Sequence, residues 1–129
     1  MLMELEFFAV SECYNLILYQ HQYKIIAKDE GLSNILAGVD ENGHVWSLDT
    51  EESEEKYAVY IASSPEVFRK EIELFHEFCE SRPLNETEEA LKQSADEFRQ
   101  QILYLDENAF SDSENYWSVV AEELEAGVI

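Results

Sequence analysis

The sequence is short of positive charge: its 129 residues hold eight Lys and Arg against 29 Asp and Glu, a formal net charge of −21 at pH 7. Neutralising a run of phosphates requires clustered cations, so direct nucleic-acid binding is excluded and an anionic membrane surface disfavoured. Glycine is scarce as well. Gly31, Gly38, Gly43 and Gly127 form no G-x-G, and no P-loop lysine follows one of them, so nucleotide binding lacks its loop. The two cysteines, Cys13 and Cys79, stand far apart outside any C-x-x-C, and are expected as buried, reduced thiols. His21, His44 and His76 are scattered singly, with no H-E-x-x-H. Asp40-Glu41-Asn42-Gly43 lacks the ligand alternation and twelfth-position Glu of a calcium loop. No serine sits in G-x-S-x-G. No catalytic residue, metal or cofactor is therefore expected, and the chain does not read as an enzyme. No apolar run approaches the about 18 residues that span a bilayer. Glu4 and Glu6 lie where a signal peptide needs positive charge. The expected compartment is the cytoplasm.

A core is nonetheless affordable. The chain is 46% hydrophobic, with seven Phe, seven Tyr and two Trp, and reads as one domain over 1–129. Up to residue 62 the segments are short and rich in β-formers. The candidate strands are Glu4–Val10, Tyr14–Tyr19, Tyr23–Ala27, Asn34–Val39, His44–Leu48 and Tyr57–Ala62. Asn42-Gly43 predicts a type I′ hairpin turn with Val39 and Val45 as its paired ends. Tyr57–Ala62 does not alternate strictly, which suits a strand covered on both faces.

From residue 65 the period becomes helical. Ser64-Pro65-Glu66 is a helix start. Phe68, Ile72, Phe75 and Cys79 recur at 4, 3 and 4, with Arg69, Lys70, Glu73, Glu77 and Glu80 facing away, and the helix should end near Arg82-Pro83. A second helix, capped by Asn85 with Glu88 three residues on, carries Leu91, Ala95, Phe98, Ile102 and Leu105 on one stripe. A third starts near Asp112 or Ser113, turns Tyr116, Trp117, Val120 and Leu124 inward, and ends at Gly127. The expected fold class is α+β: a mainly antiparallel sheet in the N-terminal half packed against three C-terminal helices.

The acids are unevenly spread. One group, Asp49, Glu51, Glu52, Glu54 and Glu55, occupies an expected loop between strands. A second, including Asp106, Glu107, Asp112 and Glu114, opens the stretch 106–129, which has no Lys or Arg. Two readings stand: solvated surface that keeps the chain soluble, or a docking face for a basic partner.

Three stretches resemble the SUKH superfamily of bacterial immunity proteins, its fourth subgroup most closely. Gly38-Val39-Asp40-Glu41-Asn42-Gly43-His44-Val45-Trp46-Ser47-Leu48-Asp49 is similar to the family's hairpin. Ile61-Ala62-Ser63-Ser64-Pro65-Glu66-Val67-Phe68 is similar to its strand-to-helix junction. Leu105-Asp106-Glu107-Asn108-Ala109-Phe110, Tyr116-Trp117 and Glu122-Glu123-Leu124-x-x-Gly127 are similar to its closing segment, with Glu107 where a family version has Pro. The resemblance covers roughly 23–129. The first 22 residues are shorter than the family's N-terminal region and show no leading helix. In this pattern Ser63 or Ser64 caps the helix, Phe68 enters the core and Trp117 packs on the sheet or the long helix. The resemblance implies an antidote that binds and blocks a cognate toxin domain. Such toxins include nucleases and nucleic-acid deaminases, and nucleases are often basic. The expected partner is then a basic toxin, met by the two acid groups, with the protein itself a monomer or a weak homodimer. Two alternatives remain open: an intracellular scaffold or regulatory module of the same fold, and a small-ligand-binding domain with a cleft beside the sheet.

Overall fold

The computed structural model describes residues 7–29, 31–80 and 87–127. Five strands, β1 (Phe7–Leu18), β2 (His21–Asp29), β3 (Ile35–Val39), β4 (Val45–Asp49) and β5 (Ala58–Ala62), precede three helices, α1 (Pro65–Glu80), α2 (Glu88–Leu105) and α3 (Tyr116–Ala126). The sheet is an antiparallel meander in the order β1-β2-β3-β4-β5. This is the expected α+β architecture.

The first two expected strands are one. β1 runs through both, and its register with β2 shifts between Ala9 and Tyr14, where five steps on β1 oppose two on β2. Polar residues 11–13 bulge out there, so Cys13 is exposed and not buried as expected, while Cys79 is half-buried. Residues 4–6 of the first expected strand lie outside the described residues.

The hairpins correct the turn assignment. Val39 does pair with Val45. However, only Gly43 has positive φ (85°), and Gly43 N–H donates to the Asp40 carbonyl at 3.1 Å. That is a type I turn closed by a left-handed glycine. The turn with two successive left-handed residues is Tyr19-Gln20, φ 48° and 69°, joining Leu18 to His21. Its strain is offset at Tyr19, whose hydroxyl donates to the Glu52 carbonyl at 2.7 Å and whose ring meets Tyr57 at 4.9 Å. Gln20 is exposed and has no such contact to lose. A left-handed non-glycine residue costs about 1–2 kcal/mol, and glycine returns part of that as chain entropy. Gln20→Gly should therefore stabilise by about 0.5 kcal/mol, read as an upward shift of the urea midpoint at constant m.

The sheet has two apolar faces. Phe7, Ala27, Ala37, Val45 and Ile61 meet Phe68, Phe75, Phe98, Ile102, Trp117 and Leu124 of the helices. On the opposite face Tyr23, Ile25, Leu36, Leu48 and Tyr57 form a second cluster. Tyr23 and Tyr57 hydroxyls are 2.7 Å apart although β3 and β4 lie between their strands. Strands sit about 4.8 Å apart, so the two side chains bridge about 14 Å by lying across that face of the sheet. Gly38 makes room: a Cβ there would meet Leu48 Cδ1 at 2.6 Å and Tyr23 Cβ at 3.0 Å. β5 is an edge strand, buried through Ile61 and Ala62, with Ala58 and Tyr60 only half-covered, so its coverage on two faces is incomplete.

Ser64 caps α1, its Oγ accepting from Val67 N–H at 3.1 Å. The expected end at Arg82-Pro83 and the expected cap Asn85 lie outside the described residues. α2 is capped by Thr87, whose Oγ1 accepts from Ala90 N–H at 3.2 Å. α3 begins at Tyr116, not 112–113, because Asp112–Asn115 forms a turn of its own, and it ends at Gly127 with φ 75°.

Candidate functional site

Two loops converge on the free edge of β5. The first, 50–57, is anchored at its root by Asp49, whose Oδ1 accepts from Asn34 Nδ2 (2.8 Å) and Glu51 N–H (3.0 Å). Asp49 N–H donates to the Tyr57 carbonyl at 2.8 Å, which closes the loop. The second follows α2. There Asp112 Oδ1 accepts from Glu114 N–H at 2.8 Å, Ser118 Oγ donates to the Asp112 carbonyl at 2.8 Å, and Asn115 Nδ2 donates to the carbonyls of Asn108 and Ala109. These bonds fix the backbone that carries Asp112 and Glu114.

Between the loops lies a cleft of about 630 Å³. Glu55 and Lys56 line it from the first loop, Asp112, Glu114 and Asn115 from the second, and Trp46, Ala58, Val59 and Tyr60 from the sheet. Glu55, Asp112 and Glu114 have no cation within 4 Å among the described residues. The ion pairs there are on the helices, such as Arg69–Glu73 and Arg99–Glu125. A second groove of about 590 Å³, between α1 and α2, carries acids too, but its Glu73 is paired to Arg69.

The fold thus brings Glu55 beside Asp112 and Glu114. Glu51, Glu52 and Glu54 are exposed on the same loop but do not line the cleft, and neither does exposed Glu107. Asp106, expected among the partner-binding acids, is buried and hydrogen-bonded within the fold. Its Oδ2 accepts from Tyr60 O–H at 2.7 Å and its Oδ1 from Asn108 N–H at 3.0 Å, so it fixes the cleft floor. Asp49 is likewise engaged in its turn. Burial, and then the bond to Asp106, push the Tyr60 hydroxyl well above its ordinary pKa, so it stays a proton donor.

Trp46 and Tyr60 were expected only as strand residues and not among the site residues. Their rings meet at 5.7 Å, and the Trp46 indole donates to Asp40 Oδ2 at 2.8 Å. Burial opposes ionisation of Asp40, but the Trp46, His44 and Asn42 N–H donors outweigh it and hold the carboxyl below its usual range. The pairing of Trp46 with Tyr60 across β4 and β5 is the register signal that could have found them.

Glu71 was missed as well. It is fully buried (0% exposed), on the stripe of Phe68 and Phe75 at spacings of 3 and 4. Burial pushes its carboxyl up to about 9; the Trp117 indole eases this and Asp106 adds to it. The indole approaches without hydrogen-bond geometry. Both Glu71 oxygens and Trp117 Nε1 lack a hydrogen-bond partner among the described residues.

Among the described residues no group of three or more His, Cys, Asp or Glu could hold a metal ion. None of their helices is long and apolar enough to cross a membrane.

Comparison with curated proteins finds no match, and comparison with solved structures finds none. A family model described as SUKH-4 immunity protein matches residues 5–123. The match reaches back through β1, which the resemblance over 23–129 left out, and stops short of Gly127. With nearly its whole length matched, the chain belongs to the SUKH-4 immunity protein family.

Proposed function

We propose that this protein neutralises a cognate toxin by binding it, in the cytoplasm and without catalysis, with the acidic cleft at the β5 edge as the docking surface. The observation that carries the reading is the convergence of Glu55, Asp112 and Glu114, which outnumber Lys56 in the lining and form no ion pair among the described residues, around the half-covered rings of Tyr60 and Trp46. Unpaired carboxylates beside an aromatic floor suit Arg and Lys side chains of a basic toxin domain, such as one that acts on nucleic acid. The net charge of −21 adds long-range attraction for such a partner.

The test is rescue. A toxin encoded beside this chain should kill cells alone and spare them on co-expression. Equal killing with and without the chain overturns the reading, and capture of a housekeeping complex in place of a toxin favours a scaffold role. For the surface, Glu55→Lys with Glu114→Lys should slow toxin association by at least about tenfold at low ionic strength. Both side chains are exposed, so the melting temperature should barely move. Asp112 is left intact because its carboxylate holds the Glu114 N–H. An unchanged on-rate would move the interface elsewhere.

A further inference from the structure

The two edges of the sheet differ in charge. β5 lines the acidic cleft. β1, at the other edge, pairs with β2 and, among the described residues, with no other strand. Residues 13–23 contain no Asp, Glu, Lys or Arg, the longest such run in a chain of net charge −21. Within it Tyr14–Leu18 is regular, pairing from Tyr14↔Ile25 to Leu18↔His21. Large side chains stay exposed on it: Tyr14 46%, Ile17 67% and, in the adjoining turn, Tyr19 43%. Soluble proteins usually guard an edge with Lys, Pro or a bulge. Here the irregularity between Ala9 and Tyr14 lies ahead of this segment and leaves it open.

We propose that a second copy of this chain pairs here, β1 against β1, antiparallel about a two-fold axis near Leu16, joining the two sheets into one. Any strand could use the exposed backbone, so side chains and charge decide the occupant. A two-fold contact sets a surface against itself. On this molecule most surfaces would set acid against acid, whereas this edge sets Leu16 on Leu16 and Asn15 on Ile17. A basic partner gains no attraction from an uncharged strip and finds its complement at the carboxylates across the sheet. Five paired residues fall short of the roughly 1,000 Å² that a lasting interface clears, so the dimer is weak and grows with concentration. The acids outside the contact still repel, and salt screens them over about 8–10 Å. Added salt therefore tightens this dimer, while it loosens attraction to a basic toxin.

Sedimentation velocity of the full chain, from low micromolar to about 0.5 mM at low and high NaCl, tests the pairing. Monomer should pass to dimer, more readily in high salt, with amides of residues 14–18 exchanging more slowly as dimer forms. Ile17→Glu should weaken the dimer by about 100-fold or more, through a like charge in each copy and lost apolar contact. Asn15→Glu, also at an exposed position, should do the same, which guards against a folding defect in either variant. A wild-type chain that stays monomeric in high salt overturns the proposal, as does dimerisation unaffected by both variants. Slowed exchange at 14–18 only in the presence of toxin also overturns it, and assigns the edge to the toxin.

Discussion

Trp117→Ala should lower the stability by about 3–5 kcal/mol, the range for deleting a large buried aromatic. Trp117 is 1% exposed and sits where all three helices meet. Its ring centroid lies 5.8 Å from Phe75 of α1, 5.7 Å from Phe98 of α2 and 4.8 Å from Tyr116 beside it. The contacts with Phe98 and Tyr116 are edge-on, and such pairs add about 0.5–1.5 kcal/mol each beyond area burial. The cavity left by alanine would be walled by rings from separate elements, none of which can close it without moving its own helix, so relaxation recovers little. Urea denaturation at constant m measures the loss. A change under about 1 kcal/mol would mean that Trp117 is not the junction of the helices. The site should feel the change as well, because α3 carries Asn115 at its start and Asn115 ties down the segment bearing Asp112 and Glu114.

Trp117 was legible from sequence for a simple reason: Tyr116, Trp117, Val120 and Leu124 repeat at helical spacing, and all four are buried. The same holds for Phe68 and Phe75 and for Ala95, Phe98 and Ile102. Periodicity reports burial when a helix offers one face to one core. It did not find Glu71, which is buried at a stripe position although it carries a carboxyl group. It also failed in β1, where an apolar-polar-apolar run read as two strands is a single strand that carries a three-residue excess over its partner. The Asn42-Gly43 signal located the hairpin but not its turn type. Asp40 settles that, because its Oδ1 takes the N–H groups of Asn42 and His44 (2.9 and 3.0 Å) and holds Asn42 out of the left-handed region.

The cleft was legible only as two separate clusters of acid. That Glu55 faces Asp112 and Glu114 depends on β5 being the edge strand and on Tyr60 reaching Asp106 across 46 positions of sequence. Such a contact is a product of topology, and no local pattern encodes it. Asp106 shows the reverse case. Composition grouped it with its acidic neighbours, yet its position at the end of α2, facing a strand hydroxyl, made it an internal acceptor. A charge count ranks all carboxylates alike, and burial separates those that hold the scaffold from those left exposed.

Glu71→Gln should gain on the wild type as pH rises, by about 1.4 kcal/mol for each pH unit between about 4.5 and 9. The carboxyl ionises near its ordinary value in the unfolded chain and near 9 in the fold, chiefly through burial. Between those values the folded chain binds one proton more than the unfolded one, so the wild type loses stability as pH increases. Below about 4.5 both states are protonated and the difference between the two proteins is constant. From pH 5 to pH 8 it should widen by about 4 kcal/mol. Repulsion among the other acids also grows with pH, but it is common to both proteins and cancels in the comparison. The offset depends on how well the amide fits beside the Trp117 indole, so the slope is the diagnostic. Chemical denaturation of both proteins at pH 5, 6.5 and 8 gives it, and a flat difference would mean that Glu71 is ionised inside the fold. The groups around it make that state unfavourable. Asp106 approaches from the end of α2, and the hydroxyls of Tyr60 on β5 and Tyr116 on α3 are held protonated by burial. A second charge beside Asp106 would strain the carboxylate that receives Tyr60 O–H, which is the bond that floors the acidic cleft. A neutral Glu71 therefore adds no second charge beside Asp106 beneath the cleft, whose rim carries exposed Glu55, Asp112 and Glu114.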